Sequence, residues 1–250
     1  MARKIIIVLY LLCVGVSIVP AQSKLLPIPK VSIEIGKAAK PDDVSVTLQI
    51  LFLMTVLSLA PALLILTTAF TRIIIVLHFL KQAMGTPQMP PPQILLGLAM
   101  FLTFFVMAPV WEKVNTDALQ PYMNNKISVT DAYDKAVVPL KDFMFKQTRE
   151  EDLALFVQMS SMPKPNNRND IPIHVLIPSF AISEMRIGFQ MGFVLFVPFL
   201  IIDLVVASIL MSMGMMMLPP GMVSLPFKIL LFILVDGWHL IIGSIIQSFH

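Results

Sequence analysis

Apolar residues come in long uninterrupted runs separated by short polar breaks, a spacing that predicts membrane-length helices and not the strict alternation of half-buried strands. Leu48 to Ala69, LQILFLMTVLSLAPALLILTTA, carries no charge, and its length matches the roughly 20 residues that cross a hydrocarbon layer. The apolar character persists through FTRIIIVLHFLKQAMG, but Arg72, His78 and Lys81 enter it. TPQMPPPQ then stops any helix, because proline lacks an N–H and fixes φ. A second charge-free run, Ile94 to Val110, leaves the membrane at Trp111, ahead of Glu112 and Lys113. Beyond residue 172 the chain is nearly continuous apolar sequence. Pro219, Pro220 and Gly221 divide it into segments expected near 189–217 and 226–248, with Pro226 in the first turn of the last helix and Ser224 as its cap. The expected fold class is an all-α membrane protein of bent or broken helical hairpins, with about four apolar helical segments and a small helical extracytoplasmic insertion.

That insertion is the one substantial water-suited stretch. SVTDAYDKAVVPLKDFMF sets Tyr133, Ala136, Val137, Leu140, Phe143 and Met144 on one helical face. Thr148 with Glu151 suggests a capping box for a second helix bearing Leu153, Phe156 and Val157. No acid, base or nucleophile constellation accompanies these stripes, so they read as packing surfaces. The chain opens MARKIIIVLYLLCVGVSIVPAQS, a basic start, a short apolar core and small residues around Pro20, which describes a signal peptide cleaved after Ala21; an uncleaved helix is the alternative. The single cysteine, Cys13, falls inside it, so the mature chain is expected to hold no disulfide and no cysteine-bound metal. The organisation expected is a signal peptide at 1–21, an exposed irregular segment at 22–45 and a first helical hairpin at 46–110. A soluble helical region at 111–173 and a second hairpin with a Met-rich loop and C-terminal helix at 174–250 complete it.

Composition strengthens the membrane assignment: 57% of the 250 residues are hydrophobic and 13% charged, with mean hydropathy +0.84, against about 25% charged in soluble domains. The net charge of +3 is not gathered into a stripe, which excludes a nucleic-acid partner. Arg72 and Lys81 lie without an acid between residues 70 and 92, so that connection should face the cytoplasm and the longer 112–172 region the outside. Four spans with both ends outside is the simplest topology. There is no HExxH, Walker loop or GxSxG, and His78, His174, His239 and His250 are scattered. No enzyme activity, cofactor or metal is expected.

Several residues exceed what a lipid-soluble bundle needs. Pro61, Pro109 and Pro198 lie inside apolar segments, where they free a carbonyl and bend a helix, although transmembrane helices are also rich in proline generally. Asp203 and Asp236 sit near the middle of apolar runs and Glu184 and Arg186 at the start of one. An aspartate at a helix centre costs about 2.5 to 3.5 kcal/mol on insertion scales, so each should be paired. His239, three residues after Asp236, shares its helix face and makes either a proton relay or a structural clamp. Gly188 and Gly192 in GFQMG permit close helix contact. Met211, Met213, Met215, Met216 and Met217 crowd the end of the third apolar segment. One helix face cannot bury them all, so they are either flexible core filler or, at a broken helix end repeated about an axis, a soft constriction.

LSLAPALLILTTAFTRIIIVLHFLKQAMGTPQMPP, FLTFFVMAPVW, PSFAISEMRIGFQMGF, VPFLIIDLVVASILMSMGMMMLPP and SLPFKILLFILVDGW closely resemble the FliP family of flagellar biosynthesis proteins, which includes the injectisome export-gate subunit. The resemblance runs from about Leu48 to the C-terminus. It implies a core subunit of the flagellar type III export gate in the inner membrane and basal body, assembled as a homo-oligomer, typically a pentamer. FliQ-like and FliR-like proteins and other basal-body export components join it around a path for unfolded flagellar substrates. It further implies bent hairpins lifted largely out of the bilayer plane and a pore gasket at Met215, Met216 and Met217. The signal peptide and long N-terminal extension resemble the flagellar branch more than the injectisome branch. Arg186, Gly188 and the extra proline of PPPQ depart from the commoner pattern. Two other readings use the same residues: a proton-coupled transporter subunit built on Asp203, Asp236 and His239, and an assembly factor without a conduit.

Overall fold

The computed structural model describes residues 41–86, 89–160, 165, 167–215 and 217–249. The expected signal peptide at 1–21 and Met216 lie outside them. Residues up to Leu51 form one unit, described only over the opening turns of its helix, and Phe52–His250 form a second.

The elements are helical throughout the described residues: α1 Pro41–Leu66, α2 Phe70–Met84, α3 Pro92–Val114, a π turn Asn115–Leu119, α4 Gln120–Met123, α5 Val129–Gln147, α6 Glu150–Met159, a 3-10 turn Arg168–Asp170, α7 Ile173–Ser212, α8 Pro220–Leu234 and α9 Gly237–Gln247. Local chemistry explains their limits. α1 opens on Pro41 with Asp42 and Asp43 behind it, residue types that suit a helix start, so the last part of the segment expected to be irregular is helical. Gly85, at φ 69°, ends α2 in a left-handed turn that a side chain would disfavour. Pro92 opens α3 at a position where its missing N–H costs nothing.

In the water-suited region a capping box does form, at a different place from the expected one. Ser128 Oγ accepts from the Asp131 N–H at 3.1 Å while the Asp131 carboxylate accepts from the Ser128 N–H at 3.3 Å. Thr148 instead closes α5, donating its hydroxyl to the Met144 carbonyl at 2.7 Å, and α6 starts at Arg149 without a side-chain cap.

Among the described residues three helices are long and apolar enough to cross a membrane, Leu48–Leu66, Pro92–Met123 and Ile173–Ser212, and α8 with α9 forms a further candidate bent by 65°. α7 was expected to start near 189; it begins at Ile173 and runs for 40 residues. At 1.5 Å per residue it is about 60 Å long, twice the roughly 30 Å hydrocarbon layer. One face of its first half is buried, with Leu176, Phe180 and Ser183 closed off from solvent, while Phe193, Val194, Leu204 and Val205 of the second half are exposed. α2 packs most closely on α7, with α6 and α8 against other parts of that same helix and α3 against α2. Ile73, Leu77 and Leu80 of α2, Met107 of α3, Met144 of α5 and Phe180 of α7 make the centre of the core.

Candidate functional site

The start of α2 turns Arg72 inward against the buried half of α7. Its guanidinium is 1% exposed and its partner, Glu184, is fully buried. The arginine Nε donates to Glu184 Oε2 at 3.0 Å and one terminal nitrogen to Glu184 Oε1. That nitrogen also reaches Gln147 Oε1 at 3.0 Å, and the other donates to the Ser248 carbonyl at 2.7 Å and its Oγ at 3.0 Å. These contacts occupy all five donors of the fork. The Phe249 ring lies 3.9 Å beneath the guanidinium carbon, and Gln147 Nε2 donates to the Phe249 carbonyl at 3.0 Å. One charge pair thereby ties α2, α7, the end of α5 and the residues after α9.

Arg72, read from the sequence only as a basic residue of the 70–92 connection, is a buried ion-pair partner within α2. Arg186, expected in a buried pair, is 46% exposed and reaches the exposed Glu151 at 3.3 Å and the buried Asp152 at 3.7 Å. The reason is helical phase: two residues beyond Glu184 the side chain has rotated away from the α2 contact.

Asp203 makes the second network, on the exposed half of α7. Lys228 Nζ donates to Asp203 Oδ2 at 2.6 Å and Ser224 Oγ to Oδ1 at 2.5 Å. Lys228 is 5% and Asp203 30% exposed. The lysine also reaches the Ala83 carbonyl at 3.3 Å, in the last turn of α2. Ser224 is therefore not a helix cap, and Pro226 lies inside α8, which starts at Pro220 behind Pro219. Lys228 escaped the sequence reading; the signal was a lone cation in an apolar run following one with a lone acid.

Asp236 is not at a helix centre. It adopts φ 51° at the break between α8 and α9, exposed and without a side-chain cap bond, and His239 is exposed as well. The left-handed turn lets Gly237 press against the Phe232 ring, a contact that a side chain would obstruct. Asp236 and His239 thus share no continuous helix face. Among the described residues no hydrogen bond or ion pair joins Asp203, Asp236 and His239, and no group of three or more His, Cys, Asp or Glu could hold a metal.

Gly188 and Gly192 face α2. A Cβ on Gly188 would sit 3.1 Å from Ile75 Cγ2, and one on Gly192 2.5 Å from Phe79 Cγ. Pro61, Pro109 and Pro198 each lie within a helix that continues past them, in α1, α3 and α7.

The methionine-rich stretch begins as a helix end. Gly214, at φ 75°, donates to the Met211 carbonyl at 3.0 Å, and the Met215 N–H reaches back to Leu210 at 3.0 Å, the two bonds of a Schellman motif. Past this stop Met215 is 45% and Met217 98% exposed.

Long apolar helices, with their deepest charges neutralised in pairs, define an integral membrane protein of the all-α class. The chain belongs to the FliP family, whose sequence profile matches residues 53–245. It is 58% identical over 217 residues to the flagellar biosynthetic protein FliP of Bacillus subtilis (strain 168), spanning 87% of this chain and 98% of that protein. The flagellar biosynthetic protein FliP of Caulobacter vibrioides is 45% identical over 247 residues, 99% of this chain and 91% of its own length. The flagellar biosynthetic protein FliP of Aquifex aeolicus is 45% identical over 224, with coverages of 89% and 92%. These similarities support the flagellar branch.

Proposed function

We propose that the chain is a core subunit of the flagellar type III protein export gate. Copies of it, in a ring of typically five, join FliQ-like and FliR-like membrane proteins and other basal-body components to enclose a narrow path for unfolded flagellar proteins. The observation that carries this reading is the methionine-rich loop: a Schellman stop and a proline-started helix bracket it, and Met217 stands 98% exposed at its tip. An apolar side chain held on a short loop away from any core needs a partner surface. A ring of such loops at Met215, Met216 and Met217 supplies one, and unbranched methionines deform around a passing chain and close behind it.

The cytoplasmic membrane of the basal body is the proposed location, with residues 1–21 as a cleaved signal and the mature N-terminus and 111–173 outside. The capping box and mixed polarity of α5 suit that aqueous position. The roughly 60 Å length of α7 fits a helix raised out of the bilayer plane better than a simple crossing. No catalytic step is assigned to it.

Replacing Met215, Met216 and Met217 by alanine in the assembled complex tests the reading. Ion flux through the membrane is expected to rise while flagellar protein export continues. A seal as tight as the native one in an assembled, exporting complex would overturn the gasket.

A further inference from the structure

The loop after α7 is short. Its entry is set by the backbone bonds of Gly214 and Met215, and Met217 is 98% exposed. The network around Asp203 joins the two helices on either side, which also meet through the Phe199 and Phe232 rings. The carboxylate lies about 13 Å before the end of α7, and its partners Ser224 and Lys228 lie about 6 and 12 Å into α8. Ser224 and Lys228 are four apart, hence on one helical face, and both bind the same carboxylate, at 2.5 and 2.6 Å.

Lys228 does more than neutralise Asp203. Its ammonium also reaches the Ala83 carbonyl, in the last turn of α2 just before the left-handed Gly85. The last carbonyls of a helix lack partners within it and carry the negative end of its dipole, so a cation there is favourable. One ammonium therefore joins three helices: α7 through Asp203, α8 on which it sits, and α2 through its last turn.

We infer that Asp203, Ser224 and Lys228 form a latch that positions the methionine-rich loop by clamping α7 and α8 to the end of α2. Lys228 is the positioning residue, acting on the loop through the helices that carry it. The inference rests on the reading of that loop as a seal, and it deepens that reading by naming what holds the seal at its set height and spacing. It also gives the pair a role other than proton transfer: Asp203 is bound to a cation and a hydroxyl that keep it in place.

The experiment uses the full chain in its assembled membrane complex, with Cys13→Ser so that one introduced cysteine carries a nitroxide label. Met217→Cys reports on the loop and Val138→Cys, on the exposed side of α5, reports on the rest of the fold. The paired change Asp203→Asn with Lys228→Met removes the latch without leaving a lone charge in an apolar setting. The expected result is a several-fold faster label motion at 217, unchanged motion at 138, and, in the unlabelled chain, a several-fold larger ion leak. Lys228→Arg keeps a cation that can serve both oxygens and is expected to retain near-native motion and sealing.

Native motion at 217 in the assembled paired variant overturns the latch, and so does an equal rise at 138, which marks general loosening. If the paired variant does not assemble, Ser224→Ala removes one bond and no charge; a smaller rise confined to 217 supports the latch and no rise overturns it. The two readings fail separately. Faster motion at 217 without a leak keeps the latch and removes the seal, whereas a leak on replacing the methionines with no effect of the latch variants removes the latch and keeps the seal.

Discussion

Glu184→Ala is expected to be among the most damaging single changes in this chain. It leaves the Arg72 guanidinium, 1% exposed, with the Ser248 and Gln147 oxygens for company but no opposite charge. Removing one partner of a buried pair costs about 3–5 kcal/mol, a large part of the roughly 5–15 kcal/mol that holds a typical domain together. The paired change Arg72→Met with Glu184→Leu removes both charges, and replacing a buried pair by apolar groups is often neutral or favourable by about 1–4 kcal/mol. Against that stand the oxygens of Gln147 and Ser248 that lose their donor, at about 1–3 kcal/mol for each one left buried and unsatisfied. The paired variant should therefore be clearly less damaged than the two single changes summed. Denaturing-detergent titration in mixed micelles, followed by helicity, measures Glu184→Ala, Arg72→Met, Glu184→Leu and the pair. A cost under about 1 kcal/mol for Glu184→Ala, or additive costs in the paired variant, would refute the argument that a desolvated charge dominates.

Other expectations follow from the same geometry. Gly192→Ala places a methyl 2.5–2.9 Å from three Phe79 atoms. Overpacking of about 1–3 kcal/mol then outweighs the roughly 1 kcal/mol that alanine gains in helix propensity, so thermal unfolding in detergent should come earlier. Gly188→Ala meets Ile75 at 3.1–3.2 Å, and there the two effects should nearly cancel, leaving the unfolding temperature close to native. Bonds from the Ser128 side chain and backbone hold the Asp131 carboxyl below its ordinary pKa. Its contribution is therefore present above the unfolded aspartate value, about 3.9, and lost as pH falls through the lower folded value. NMR shifts of Ser128 to Asp131 should show the first turn of α5 fraying on that descent, with the step absent in Asp131→Asn; shifts flat with pH in the native chain would contradict it.

The contrast between Asp203 and Asp236 shows what a linear pattern can and cannot tell. Both look alike as single acids in apolar runs. One is clamped by Lys228 and Ser224, whereas the other sits exposed at a 65° break. That break comes from a left-handed turn packed on Phe232, and no proline or glycine at position 236 announces it. Glu184 and Arg186 mislead in a related way. Sequence neighbours of opposite sign suggest a pair, but helical phase sends one inward to Arg72, more than a hundred residues earlier in the chain.

Sequence alone determined the helical class, the long apolar segments, the breaks at the proline-rich stretches, and the close-packing glycines. Each depends on local propensity, or on periodicity along one helix. Tertiary structure decided the rest: that α2 is the helix those glycines meet, that Arg72 belongs to Glu184 and Lys228 to Asp203, and that Met215 and Met217 are exposed beyond the end of α7. A buried charge shows in sequence that it needs a partner, but many residues could satisfy it. Packing brings only one of them within hydrogen-bonding reach.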